Sequence, residues 1–166
     1  MTPNIEKMLA AAFSSLSKAS ARKKVYSKKA MKEGHKDLSH LLRTISESES
    51  VQARRLFNSL RGQIDNSDHY VSTIFGKEIE GIIGEYSEDL RKAEQESNKA
   101  ITQMLSQLRA AEKRIMSFYS KETKDIKTNN TQKYFVCQFC GYISMEKPPE
   151  TCPICGASKS GFQEVY

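Results

Sequence analysis

Between residues 4 and 120, apolar side chains recur every three or four positions and Gly and Pro are sparse. That period predicts a series of amphipathic helices. The first fits Ile5, Met8, Leu9, Ala12, Phe13 and Leu16 and runs to about Gly34, a residue type suited to a helix end. A second fits Leu38, Leu42, Ile45, Glu49, Gln52, Leu56 and Leu60 and ends near Gly62. The GQIDNSD stretch is a connection, in which Asn66 or Ser67 can cap the next helix. That third helix fits Val71, Ile74, Phe75, Glu78, Ile82, Ile83, Tyr86 and Leu90. Ser97 is a candidate cap for a fourth, carrying Ile101, Met104, Leu105, Leu108, Ala111, Ile115, Phe118 and Tyr119. The first three have about 25–30 residues each, roughly 40 Å at the rise of an α-helix. Four such helices predict a mainly α protein built as a four-helix bundle.

The pattern breaks after residue 120. Lys121 to Lys133 is polar and offers no apolar stripe, so it reads as a linker. The expected organisation is a bundle at 1–121, a linker at 122–132 and a small domain at 133–166. A segment of ~34 residues cannot build an independent apolar core. All four cysteines of the chain lie there, as Cys137-x-x-Cys140 and Cys152-x-x-Cys155. Two such knuckles form a four-thiolate metal site, and the metal supplies the stability that the core cannot. Gly141 and Gly156 follow the two pairs and let the backbone fold tightly. Tyr134, Tyr142 and Phe162 are candidates for an aromatic layer beneath the metal.

Composition narrows the function. The 166 residues are 38% hydrophobic and 28% charged, and no run reaches the ~18 apolar residues of a membrane span. The N-terminal stretch has neither the basic region nor the apolar run of an export signal, so a cytoplasmic protein is expected, with no disulfide framework. The net charge of +6 lies entirely before Lys133. Nine Lys/Arg between Lys18 and Arg43 face only Glu33 and Asp37, a stretch suited to an acidic partner protein. A solvated lysine face explains the same composition, and nucleic acid is not the expected partner.

The tail, with its CGY and CPxCG details, closely resembles the C-terminal rubredoxin module of the rubrerythrins. SKKAMKEGHKDLSHLL resembles the junction of that family's first two helices, and GEYSEDLRKAEQES resembles its third. The resemblance implies a ferritin-like four-helix bundle followed by a rubredoxin-like domain. It also implies one iron held by Cys137, Cys140, Cys152 and Cys155. Zinc in the same four-sulfur geometry stays open, since spacing does not separate the two metals.

The family's bundle normally houses a di-iron centre that reduces hydrogen peroxide, and here the ligands do not carry over. Such a site takes a Glu from each of two helices and Glu-x-x-His from each of the other two. Aligning KKAMKEG puts Leu16 at the first-helix Glu. Glu49 is in place on the second helix, with Gln52 where the histidine belongs. Glu78 matches on the third, but the family's additional carboxylate falls on Gly81. The fourth gives Lys113 and Met116, or Glu112 followed by Ile115 and Met116 after a shift of one residue. His35, His40 and His69 lie elsewhere; His40 is about 18 Å along a helix from Gln52. Glu49, Glu78 and Glu112 are therefore residual positions not expected to bind metal. Lys23 or Lys113, or a hydrogen-bond network, is expected to satisfy Glu49 and Glu78. The expected function is one-electron transfer at a mononuclear iron, with a homodimeric bundle that docks an acidic redox partner. The alternatives are a peroxide reductase with unusual ligands, and a zinc-stapled adaptor or nucleic-acid-binding bundle.

Overall fold

A computed structural model describes residues 2–61, 67–127 and 132–165. The chain is mainly helical, with four long helices, and divides into two compact units, Met1–Ile64 and Asp65–Tyr166. Among the described residues no helix is long and apolar enough to cross a membrane.

The first unit is a hairpin of α1 (Pro3–Lys32) and α2 (Lys36–Arg61). Pro3 opens α1 where its missing N–H costs nothing. The helix ends at Gly34, whose φ of +84° is the left-handed conformation glycine adopts without strain. His35 N–H then returns to the Ala30 carbonyl and Gly34 N–H to Met31, closing the helix with a Schellman turn. Small residues line the seam between the helices. Ser27 and Ser39 each donate a hydroxyl hydrogen bond to the other's backbone carbonyl, both at 2.9 Å. One heptad away Ser20 and Ser46 do the same, at 2.8 and 2.9 Å. Hydroxyls reach a neighbouring backbone only where two helix axes approach closely, so these serines, with buried Ala30 and Ala53, set a tight seam. Toward the other end Phe13 and Phe57 meet at 5.5 Å between ring centroids. Gly62 and Asn66, read as a helix end and a cap, lie outside the described residues.

The second unit begins with a helical run from 67 to 95. It comprises α3 (Ser67–Tyr70), a π-helical turn (Val71–Phe75) and α4 (Gly76–Gln95), and the backbone stays right-handed helical across both joints. Ser67 is thus inside a helix. The end of α4 repeats the Schellman geometry, with Asn98 N–H on the Ala93 carbonyl and Ser97 N–H on Glu94. Here the left-handed position is Ser97, at φ +55°. Asn98, not Ser97, caps α5 (Lys99–Met116), its Oδ1 accepting from Ile101 N–H at 3.2 Å. That corrects the cap read from the sequence; Ser97 is occupied in turning the chain out of α4.

α4 and α5 pack against each other, burying Ile79, Leu90, Ala93 and Ala111. The fourth helix stops short of the expected Phe118 and Tyr119. Ser117 Oγ donates to the Arg114 carbonyl at 2.7 Å, and Tyr119–Ser120 (β1) pairs antiparallel with Asp125–Ile126 (β2). The stretch read as a linker therefore contains β2. The Tyr119 ring lies over Gly76, where any Cβ would come within 2.5 Å of its Cε1. The chain ends in a three-stranded antiparallel sheet of order β4-β3-β5, from β3 (Tyr134–Cys137), β4 (Ile143–Met145) and β5 (Phe162–Val165).

Candidate metal centre

The two cysteine knuckles are built alike. Cys137 N–H donates to the Tyr142 carbonyl at 3.0 Å and Cys152 N–H to Ala157 at 2.7 Å, each closing the loop five residues on. Gly141 and Gly156 donate to the carbonyls of Cys137 and Cys152, both at 3.0 Å. Each glycine needs its positive φ, +80° and +76°, to turn back beneath the pair. Cys137 lies at the end of β3, paired with Phe162 of β5, so the sheet holds one knuckle against the other strand.

The four sulfurs lie within 4.8 Å of one another. Cys137 and Cys155 approach to 3.6 Å, as do Cys140 and Cys152. A tetrahedral four-sulfur site with metal–sulfur bonds of ~2.3 Å has edges of about 3.8 Å, so the cluster has the dimensions of such a site. All four are free thiols; three are buried and Cys155 is half-buried. Burial pushes the Cys137 thiol up, but N–H groups of Cys140 and Phe139 and the neighbouring thiols outweigh it and hold Cys137 below its ordinary range. At Cys140 and Cys155 burial prevails and the thiols are raised, although Tyr142 and Ala157 N–H groups donate to the sulfurs. Backbone donors aimed at sulfur are what a thiolate–metal complex requires to spread its negative charge. Tyr142 and Phe162 pack against this cluster, edge to face at 6.5 Å. Tyr134, expected in the same layer, pairs instead with Phe118 at 6.3 Å.

Of the residual carboxylates, Glu49 and Glu78 each meet a partner within their own unit. Lys23 Nζ of α1 lies 2.6 Å from Glu49 Oε1 of α2, one of the partnerships that the sequence left open. The other oxygen of Glu49 is buried without a hydrogen-bond partner among the described residues. At Glu78 the Tyr70 hydroxyl donates to Oε2 at 2.8 Å across the π turn, and no lysine pairs with this carboxylate among the described residues. Glu112 is half-buried on α5, and burial raises its carboxyl. Gln52, Gly81 and Lys113 are exposed, and Leu16 and Met116 half-buried. His35, His40 and His69 are exposed. Among the described residues, the cysteines are the one group of His, Cys, Asp or Glu assembled with metal-ligand geometry.

Two contributors were not read from the sequence. Tyr70 precedes Glu78 by eight residues, a two-turn helical spacing that signals a shared face. Arg114 reaches from the end of α5 to the Ile143 carbonyl at 3.1 Å. Its four-residue spacing to Phe118 is the signal for the stacking that it makes there.

Fold and site together define a helical protein with a rubredoxin-type four-cysteine module at its C-terminal end. Residues 135–163 match the family model described as rubrerythrin, rubredoxin-like domain. Rubrerythrin-1 of Clostridium acetobutylicum is 31% identical, over 87% of this chain and 85% of its own. Rubrerythrin-2 of that organism is 27% identical, with 93% of each chain covered. Rubrerythrin of Porphyromonas gingivalis is also 27% identical, over 96% of this chain and 89% of its own. The structure of fully reduced, all-ferrous nigerythrin shares the fold, with a TM-score of 0.51 and 23% identity over 96% of this chain and 86% of that one. The chain belongs to the rubrerythrin family.

Proposed function

We propose that the chain is a one-electron carrier: a single iron in the four-cysteine module, and helices that hold no di-iron centre. The observation that carries this is Lys23 on Glu49 at 2.6 Å. A side-chain cation already neutralises the helical carboxylate best placed to serve a metal. Gln52 cannot supply the imidazole that follows such a carboxylate, and Tyr70 occupies Glu78. Cys137, Cys140, Cys152 and Cys155 would hold the iron, which when bound cycles between ferric and ferrous forms. The chain's own groups bury three of the sulfurs and direct N–H donors at them, conditions that favour a small structural change on electron transfer.

On this reading residues 1–121 dimerise and dock, 122–132 tether and 133–166 carry the redox centre. An acidic redox protein fits a groove of the first unit lined by Lys24, Lys28, Lys32 and Arg43, with Glu47 as its one acidic member. The exposed Tyr26, Leu38 and Leu41 near the Gly34 turn supply apolar surface for a homodimer. Free thiols suit a reducing compartment, in keeping with a cytoplasmic site.

Metal analysis of protein from iron-replete cells, joined to a peroxide-consumption assay with a reduced donor, tests the proposal. One iron per chain, colour that bleaches on reduction and negligible peroxide turnover are expected. Three irons per chain, two of them lost on replacing Glu49 and Glu78 with Ala, would establish the peroxide reductase instead. Stoichiometric zinc in colourless protein would leave only the adaptor.

A further inference from the structure

The end of α5 touches the cysteine module through one side chain with several contacts. Arg114 Nε donates to the Ile143 carbonyl on β4 at 3.1 Å, and its Nη1 donates to Ser117 Oγ at 3.2 Å. Its guanidinium carbon stands 4.6 Å from the centre of the Phe118 ring and 5.8 Å from that of Tyr142. Both rings are placed to take a cation on their faces. Arg114 is half-buried, and no carboxylate pairs with it among the described residues. A half-buried cation without an anion is costly unless its charge is used or its plane is held.

Tyr142 leads directly to the sulfurs. Its carbonyl accepts Cys137 N–H at 3.0 Å, its own N–H donates to the Cys140 sulfur, and its ring packs on the cysteine cluster. The neighbouring Ile143 is the residue whose carbonyl Arg114 holds. The cation therefore sits one side chain away from the thiolates, on a stretch that shapes the first knuckle.

We propose that Arg114 is a positioning residue for the metal module: it clamps β4 to the end of α5 and fixes a positive charge on the Tyr142 side of the sulfur cluster, favouring the ferrous form of the bound iron. The charge balance is simple. Ferric iron with four thiolates carries one net negative charge and gains one electron, with no bond made or broken, to carry two. A fixed cation nearby lowers the cost of that second charge. Planarity serves the clamp and charge serves the potential, so the two parts separate in substitutions. The charge role rests on the iron reading above; the clamp does not.

The test uses the full chain in iron-loaded and zinc-loaded forms, with Arg114→Gln and Arg114→Lys. Potentiometric titration of the iron form should show Arg114→Gln shifted to lower potential, by a factor of up to about ten in the ferric–ferrous equilibrium constant, or about 59 mV per tenfold. Arg114→Lys should stay within about twofold of the parent. Hydrogen exchange of the zinc form should show the Ile143–Met145 amides opening several-fold faster in both variants, since lysine cannot reproduce the stacked plane. An Arg114→Gln potential equal to the parent's overturns the charge role. Unchanged exchange in both variants overturns the clamp. A chain that accepts only zinc ends the electron-carrier reading, while the exchange measurement still decides the clamp.

Discussion

Lysine 23 is the residue whose removal weighs the helical carboxylate most directly. Lys23→Met keeps most of the aliphatic stem and deletes the charge, leaving Glu49 with 17% of its side chain exposed and one oxygen already lacking a partner. Exposed ion pairs contribute about 0–1 kcal/mol. Breaking a fully buried pair costs about 3–5 kcal/mol. With exposures of 29% and 17% this pair falls between those limits, so Lys23→Met should cost about 2 kcal/mol. In thermal unfolding of a chain this size that is a loss of roughly 4–8 °C. The assay is urea unfolding of the zinc-loaded protein, followed by far-UV circular dichroism. Adding Glu49→Leu to the lysine variant removes the stranded carboxylate and should recover at least half of the loss. A Lys23→Met protein within about 0.5 kcal/mol of the parent, or a double variant no more stable than the single, would refute the idea that the lysine neutralises a desolvated carboxylate.

Ser97→Gly should stabilise the second unit by about 0.5–1 kcal/mol in the same assay, because serine now holds the left-handed position that glycine holds after α1. Gly76→Ala should destabilise by about 1–3 kcal/mol through its collision with Tyr119, and Tyr119→Ala in the same chain should relieve that penalty. Burial raises the Glu112 carboxyl, so the folded chain holds its proton more tightly than the unfolded one and loses stability as pH climbs past 4.5. Glu112→Gln should therefore be more stable than the parent at neutral pH, with the gap closing in unfolding curves taken near pH ~4. Chelating the metal should abolish exchange protection in β3, β4 and β5 while the helical dichroism persists.

The four long helices and the cysteine module were legible because each rests on local chemistry: a 3.6-residue apolar period, and thiols at metal-ligand spacing. Lys23 was legible in part: its place on an extension of the first helix's apolar stripe made it one of two lysines offered for Glu49 and Glu78, the other being Lys113. What escaped depends on the path of the backbone. Tyr119 continues the helical period perfectly well, but Ser117 ends the helix first and sends the tyrosine into a strand over Gly76. Ser97 and Asn98 are both good caps by composition, and only the left-handed turn decides between them. Tyr134 and Tyr142 look equivalent in sequence, yet the β3–β4 pairing carries one to Phe118 and leaves the other on the sulfurs.

The paired serines of the first hairpin act as a vernier. Ser20 and Ser27 are one heptad apart on α1, as Ser39 and Ser46 are on α2, and the observed alignment engages both pairs at once. Sliding one helix by a heptad would keep a single serine pair in contact, Ser27 with Ser46 or Ser20 with Ser39. Two of the four hydroxyl-to-carbonyl bonds across the seam would be lost. Apolar seams tolerate such slippage because one leucine replaces another at little cost. A seam of directional hydroxyls does not, and the short turn at Gly34 would have to unravel to permit it. Alignment along this hairpin is thereby encoded as a count of matched teeth, which lets the outward faces of its helices change in sequence without the two helices losing their place.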